Sequence, residues 1–386
     1  MAGHLQFFAV CWALVILGWN DGSTGPLLPR IQSVYNINYT LVSLLFVGSC
    51  IGYIMGAISN VPLSAGLGFG KDIGAALQIV AYAIDAIAPP FPVLCIAYAI
   101  NGFGMAVQDA QANGYVASLT EHQETKMGAL HAAYGFGALV APLVSTQFAQ
   151  MHRWSFHYLA SMGLALLNLI TSAVIFRFET QDECVARIGQ APRERGTSTD
   201  SSFRQIVRLK SMHLLALFVF VYVGIEVTIG GWIVSYIIDE RGGGPDSGYI
   251  SSGFFAGGRR PNVFQVGEWA VIFLYGLLAI GLELVVWLVP SLLGSAISVA
   301  LVGLLLGPCF PIAMNQAARI LPAWLLTPSI GWIAGIGQAG SAALPFVTGA
   351  LAQGTGIRSL QPFLVSMMGF MMVLWALVPR KAQRMD

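Results

Sequence analysis

Along nearly the whole chain, long apolar runs alternate with short polar turns, and the runs carry no strand-like alternation. They fall at roughly 5–25, 39–61, 73–88, 92–117, 127–149, 154–176, 212–238, 247–260, 266–288, 291–318, 326–352 and 360–379, most near the ~20 residues a helix needs to cross a bilayer. Lipid offers no partner for unpaired backbone groups, so each run is predicted to be a helix. Breakers mark the turns between them, among them Pro89-Pro90 with Pro92, Gly242-Gly243-Gly244-Pro245, and Pro290. The first run has no Lys or Arg before it and continues through Asn20-Asp21-Gly22, so it reads as a first span and not as a cleaved leader. The eighth run is short. About 12 to 14 helical residues rise only about 20 Å against a core of roughly 30 Å, which predicts a truncated or re-entrant span or a misassigned coding segment.

Composition agrees with a lipid solvent: of 386 residues 56% are hydrophobic and 10% charged, far from a soluble domain. A net charge of +1 leaves no basic excess for nucleic acid. Of the nineteen Lys and Arg, a twelve-span path puts all but Arg30, Arg153, Arg241 and Arg358 on one side, so both termini and the central segment are expected in the cytoplasm. That central segment, 178–211, is the one long polar stretch. It divides the chain into a bundle of six helices over 1–177 and a second of six over 212–386, and reads as a cytoplasmic linker between them.

Polar residues inside spans are costly and are functional candidates by default. In the first span, Asn20 and Asp21 lie beside Gly18, Gly22, Gly25 and Pro26, a stretch expected to unwind and offer its backbone to a ligand. The fourth span carries Asn101, Gln108, Asp109, Gln111 and Asn113 over about half its circumference, and the seventh carries Glu226 one turn from Tyr222. Asp85 and Glu283 read as vestibule or packing residues. His131 in the fifth span is either a cavity or a packing residue, and Trp232 either a cavity residue or an interface anchor. Glycines at four-residue spacing, Gly48, Gly52 and Gly56 in the second span and Gly331 and Gly335 in the eleventh, predict close helix packing.

The stretches WNDGSTGPLLPRI (19–31), AYAINGFGMAVQDAQANGYVASL (97–119), HAAYGFGALVAP (131–142), YVGIEVTIGGWIVSYI (222–237) and GWIAGIGQAGSAALPF (331–346) resemble the fucose-proton symporter family of the major facilitator superfamily, within it a fungal branch. The resemblance implies an all-α membrane fold of two six-helix bundles. It implies that Asp21 and Asp109 serve proton coupling and sugar binding, with Glu226 a third coupling acid, and that Asn20, Asn113, Gln108, His131 and Trp232 line the solute site. This chain departs from the family at 64–67, where Ser64-Ala65-Gly66-Leu67 leaves only Lys71 of a basic pair, and after Gly258, where Arg259-Arg260-Pro261 ends the eighth span early.

The expected function is secondary active transport: proton-coupled symport of a small polar solute such as a monosaccharide, since amides and acids pair hydroxyls and an indole stacks on a sugar ring. A carboxyl in low dielectric takes and releases a proton nearer neutral pH than one in water. Two alternatives stand beside it. Proton-driven efflux would favour a Gly-Pro-x-x-Gly-Gly motif, which 135–144 does not complete; a non-transporting sensor or degenerate paralogue would explain the altered loops. The five cysteines form no C-x-x-C pair, no H-E-x-x-H or G-x-S-x-G occurs, and Gly66–Lys71 lacks the residues of a phosphate loop, so no metal, cofactor or enzyme activity is expected. Partners are expected to be the solute, protons and the bilayer, not nucleic acid, for a multi-pass monomer in the plasma membrane. Asn38-Tyr39-Thr40 is an acceptor sequon on the non-cytoplasmic side.

Overall fold

The computed structural model describes residues 2–67, 73–177, 179–189, 209–256, 268–321 and 323–380. Lys71, Arg259-Arg260-Pro261 and most of the linker, 190–208, lie outside the described residues. Twelve helical segments occupy the twelve places read from the apolar runs. They are α1 (Ala2–Tyr35), α2 (Leu44–Leu67), α3 (Ile73–Ala86), α4 (Phe91–Ser118), α5 (Gln123–Gln150) and α6 (His157–Phe176), then α7 (Lys210–Arg241), α8 (Tyr249–Phe255), α9 (Glu268–Leu288), α10 (Leu292–Leu306 continuing after Gly307-Pro308 as Cys309–Ile320), α11 (Ala323–Thr355) and α12 (Leu360–Leu377). Among the described residues nine segments are long and apolar enough to cross a membrane, and α3 is a shorter apolar helix. The eighth place is held by only seven described helical residues, beyond which 257–267 lie outside the described residues.

One expectation is corrected. The glycine- and proline-rich stretch of α1 does not unwind: the helix runs unbroken from Ala2 to Tyr35 with Pro26 and Pro29 inside it. Hydroxyls support the turn before the prolines, Ser23 donating to the Trp19 carbonyl at 2.6 Å and Thr24 to the Asn20 carbonyl at 3.3 Å. Proline inside a membrane helix is tolerated where side chains and neighbouring helices take up the freed backbone groups.

The chain divides into two compact units, 1–194 and 195–386. In the first, α1 packs along α5, α2 along α4, and α3 against α4 and α6; in the second, α7 packs along α11, α8 along α10, and α9 against α10 and α12. Each pairing recurs six helices later. Glycine makes the closest crossings possible. Gly137 of α5 sits against the Val15 carbonyl of α1, and Gly340 of α11 against the Phe220 carbonyl of α7; Gly102 of α4 meets the Ser49 carbonyl, and Gly303 of α10 the Phe254 carbonyl. At each of the four a Cβ would overlap the facing backbone. The first helix of each unit thus packs by its backbone against a glycine of the fifth.

After α6 a short helix, Gln181–Arg187, begins with a capping box: Glu183 N–H donates to Thr180 Oγ1 at 3.4 Å, and Thr180 N–H to the Glu183 carboxylate at 2.7 Å. These bonds favour the ionised form and hold the Glu183 carboxyl below its ordinary pKa. The helix docks by Cys184 and Val185 onto Tyr115, Val116, Leu130 and Phe176, while Gln6 donates to the Cys184 carbonyl at 3.2 Å. Arg187 closes the turn with an ion pair to Glu179 at 3.3 Å.

Asp85 and Glu283 are both buried, as expected of packing residues. Neither Glu283 oxygen has a hydrogen-bond partner among the described residues. Removing a buried, unpaired acid in favour of an apolar residue of similar size is neutral or stabilising. Glu283→Leu should therefore raise stability in detergent by about 1–2 kcal/mol, seen as a higher thermal unfolding midpoint; a lower midpoint would mean that Glu283 makes a stabilising contact.

Candidate functional site

The first unit gathers its polar residues at mid-length of α1 and α4, where sequence alone placed Asp21 and Asp109. Asp21 is exposed although residues 22–28 that follow it are all buried, an uncovered carboxylate at mid-length of a long apolar helix. Tyr134 of α5 donates to Asp21 Oδ2 at 2.7 Å, and Asn20 Nδ2 reaches Asp21 Oδ1 at 3.4 Å. Asp109 is half-buried and held at both oxygens: Tyr53 of α2 donates to Oδ2 at 2.7 Å, and Asn113, one turn on, donates to Oδ1 at 2.8 Å. The two acids lie within Coulomb range of each other, and His131 lies within Coulomb range of Asp109. No Lys or Arg is paired with either acid among the described residues.

Behind the acids stands a buried amide cluster. Asn101 of α4 donates to Asn20 Oδ1 at 2.5 Å, Tyr82 of α3 reaches the same oxygen at 3.4 Å, and Asn20 Nδ2 points at Met105 Sδ at 3.1 Å. The structure thus joins Asp21, Asp109, Asn20, Asn113 and His131 in one constellation. It adds three residues the sequence reading did not single out as site residues, Tyr53, Tyr82 and Tyr134. Tyr134 stood inside the HAAYGFGALVAP stretch, three residues from His131, a signal that was present. Tyr53 and Tyr82 lay in apolar runs, where a tyrosine is indistinguishable from packing.

Two candidates stand apart from that constellation. Gln108 is buried and lines a small separate cavity with Ala9, Val10, Ala13 and Phe176, large enough for a water. Trp232 is fully buried, its indole N–H donating to the Pro345 carbonyl at 3.0 Å; it ties α7 to α11 and is neither exposed to a solute nor at an interface.

In the second unit Glu226 of α7 is half-buried, accepts from the Tyr222 hydroxyl and lies near Cys309 of α10. Asp21 is six residues past Val15 and Glu226 six past Phe220, the two carbonyls that face Gly137 and Gly340. Asp109 lies seven residues past Gly102, and seven past Gly303 stands Phe310.

Comparison with known proteins adds the following. A family model described as Major Facilitator Superfamily matches residues 10–259. "Bypass of stop codon protein 6" of Saccharomyces cerevisiae is 27% identical over 410 residues, covering 97% of this chain and 82% of that protein. "Sodium-dependent glucose transporter 1" of Homo sapiens is 23% identical over 262 residues, 60% of this chain and 50% of that protein. Among solved structures, a D-xylose-proton symporter superposes with a TM-score of 0.75 at 13% identity, over 99% of this chain and 100% of that one, a likeness of fold.

Proposed function

From the premise that this chain belongs to the Major Facilitator Superfamily and is a multi-pass membrane transporter, we propose that it is a proton-coupled symporter of a small polar solute of the monosaccharide class. One observation carries the reading: in the first unit two acids lie within Coulomb range of each other, each oriented by a tyrosine, beside a buried amide cluster. Amide and hydroxyl groups pair sugar hydroxyls in either direction, and a carboxyl held by neutral donors is free to exchange a proton. We assign the coupling proton to Asp109, since Tyr53 and Asn113 fix it in either protonation state, and solute contact to Asp21, Asn20 and Asn113. Glu226, in the second unit, is a further acid for the cycle. Protonation advances transport only insofar as the inward- and outward-open states bind the proton with different affinity.

The names of the relatives support a sugar but divide on the ion, one being sodium-dependent and one a proton symporter. Reconstituted vesicles, screened over hexoses and pentoses under a proton gradient, a sodium gradient or neither, test the reading. Uptake of one sugar driven by the proton gradient is expected; uptake driven by sodium alone, or of no sugar, would overturn it. We place the protein in the plasma membrane as a monomer, with both termini and 178–211 in the cytoplasm. Tags at all three places should be digested only after permeabilisation, and digestion of any one of them on intact cells would reverse the orientation.

A further inference from the structure

Trp19 and Ser23 bracket Asn20 and Asp21 on α1, and α6 grips both. The Trp19 indole N–H donates to Ser161 Oγ at 2.9 Å, and its ring stacks on the His157 imidazole with centroids 5.6 Å apart and planes 5° apart. His157 Nε2 lies 3.0 Å from Ser23 Oγ. The hydrogens follow from the partners. Ser23 has one hydroxyl hydrogen, and the 2.6 Å contact to the Trp19 carbonyl uses it, so the hydrogen between His157 and Ser23 must sit on Nε2. Ser161 accepts from the indole, gives its own hydrogen to the His157 carbonyl at 3.3 Å, and lies 3.4 Å from Nε2, whose hydrogen it shares with Ser23. His157 Nδ1 is then a bare acceptor, buried and without a partner among the described residues. Phe148 of α5 meets the ring edge-on at 5.8 Å and Tyr158 at 5.6 Å, so the imidazole is shut away from water.

A leucine would fill this space and leave no acceptor unpaired. Only a flat ring with one N–H both stacks on the indole and bonds Ser23, four residues along the same helix face. At 100° per residue Trp19 and Ser23 share a face, and Asp21 points to the opposite one. The grip therefore holds the back of the turn whose front carries the acid. A rotation of α1 by roughly 20° would carry a side-chain carboxylate roughly 2 Å, enough to break its bond to Tyr134.

We propose that His157 and Ser161 are positioning residues that fix the rotation of α1 at 19–23 and so aim Asn20 and Asp21. The inference rests on the reading that these two residues hold solute. The test uses the full chain in vesicles, scaled to folded protein by monodisperse yield. His157→Phe keeps the stack and loses the bond to Ser23; Ser23→Ala removes the same bond from the other side; His157→Gln keeps a donor at the Nε2 position. His157→Phe and Ser23→Ala should each raise the sugar KM about tenfold with Vmax within about twofold, and the double variant should be no worse than the worse single. His157→Gln should recover most of the affinity. Unchanged KM, additive losses, or His157→Gln no better than His157→Phe would overturn the proposal. A second readout needs no transport: the Asp21 carboxyl band, assigned by infrared difference against Asp21→Asn, should shift in His157→Phe and return in His157→Gln. A band that stays in place in His157→Phe would overturn the positioning role, whereas wild-type vesicles that move no sugar would overturn the symporter reading alone.

Discussion

Asp109→Asn should lose accumulation of sugar against a gradient, its steady-state ratio of inside to outside falling to about one, while retaining counterflow exchange within about threefold of wild type. Asparagine keeps the shape of the acid and removes the titratable proton: its carbonyl oxygen still accepts from Asn113, at 2.8 Å in the native protein, and its amide nitrogen donates to the Tyr53 hydroxyl oxygen in place of accepting from it. Exchange carries no net proton, so a variant that still binds sugar still exchanges it. Asp21→Asn is expected to differ. It weakens contact with solute, raising the KM of exchange by about tenfold, because Asp21 is the exposed acid and Asp109 the half-buried one. Accumulation that persists in Asp109→Asn would move the coupling proton to Asp21 or Glu226.

Gly137→Leu and Gly340→Leu should each abolish folded protein, a loss of more than about 4 kcal/mol. At both positions even a Cβ would overlap a backbone carbonyl of the partner helix, Val15 and Phe220 respectively, and a backbone cannot step aside as a flexible side chain does. The same change at Gly163, which has open space where a Cβ would stand, should be tolerated. Monodisperse yield after detergent extraction reads the difference. Normal yield of Gly137→Leu would show that α1 and α5 can separate without loss of the fold.

Much of this was legible in the sequence because lipid imposes long apolar runs, and the twelve runs locate the twelve helical segments. The acids were legible for the same reason: Asp21 and Asp109 stand out against apolar neighbours. What orients them was not. Tyr53, Tyr82 and His157 reach the site across 56, 62 and 134 residues of chain, and periodicity along one helix says nothing of which other helix faces it. The unwinding expected over Gly18–Arg30 did not occur because the glycines there serve packing: Gly18 and Gly22 lie against the Tyr134 and Ala138 carbonyls of α5, and α1 stays helical through Pro26 and Pro29. Trp232 was ambiguous between cavity and interface, and its indole hydrogen bond to the Pro345 carbonyl places it in a third environment, the seam between α7 and α11.

The coupling of solute to proton is most directly read as sugar-evoked acidification inside vesicles that contain the purified protein, held at zero membrane potential with no initial pH difference. Adding the transported sugar outside should acidify the lumen in wild type, leave it unchanged in Asp109→Asn, and do so equally in sodium-free buffer. Sugar entry at the wild-type rate without any acidification would contradict the account.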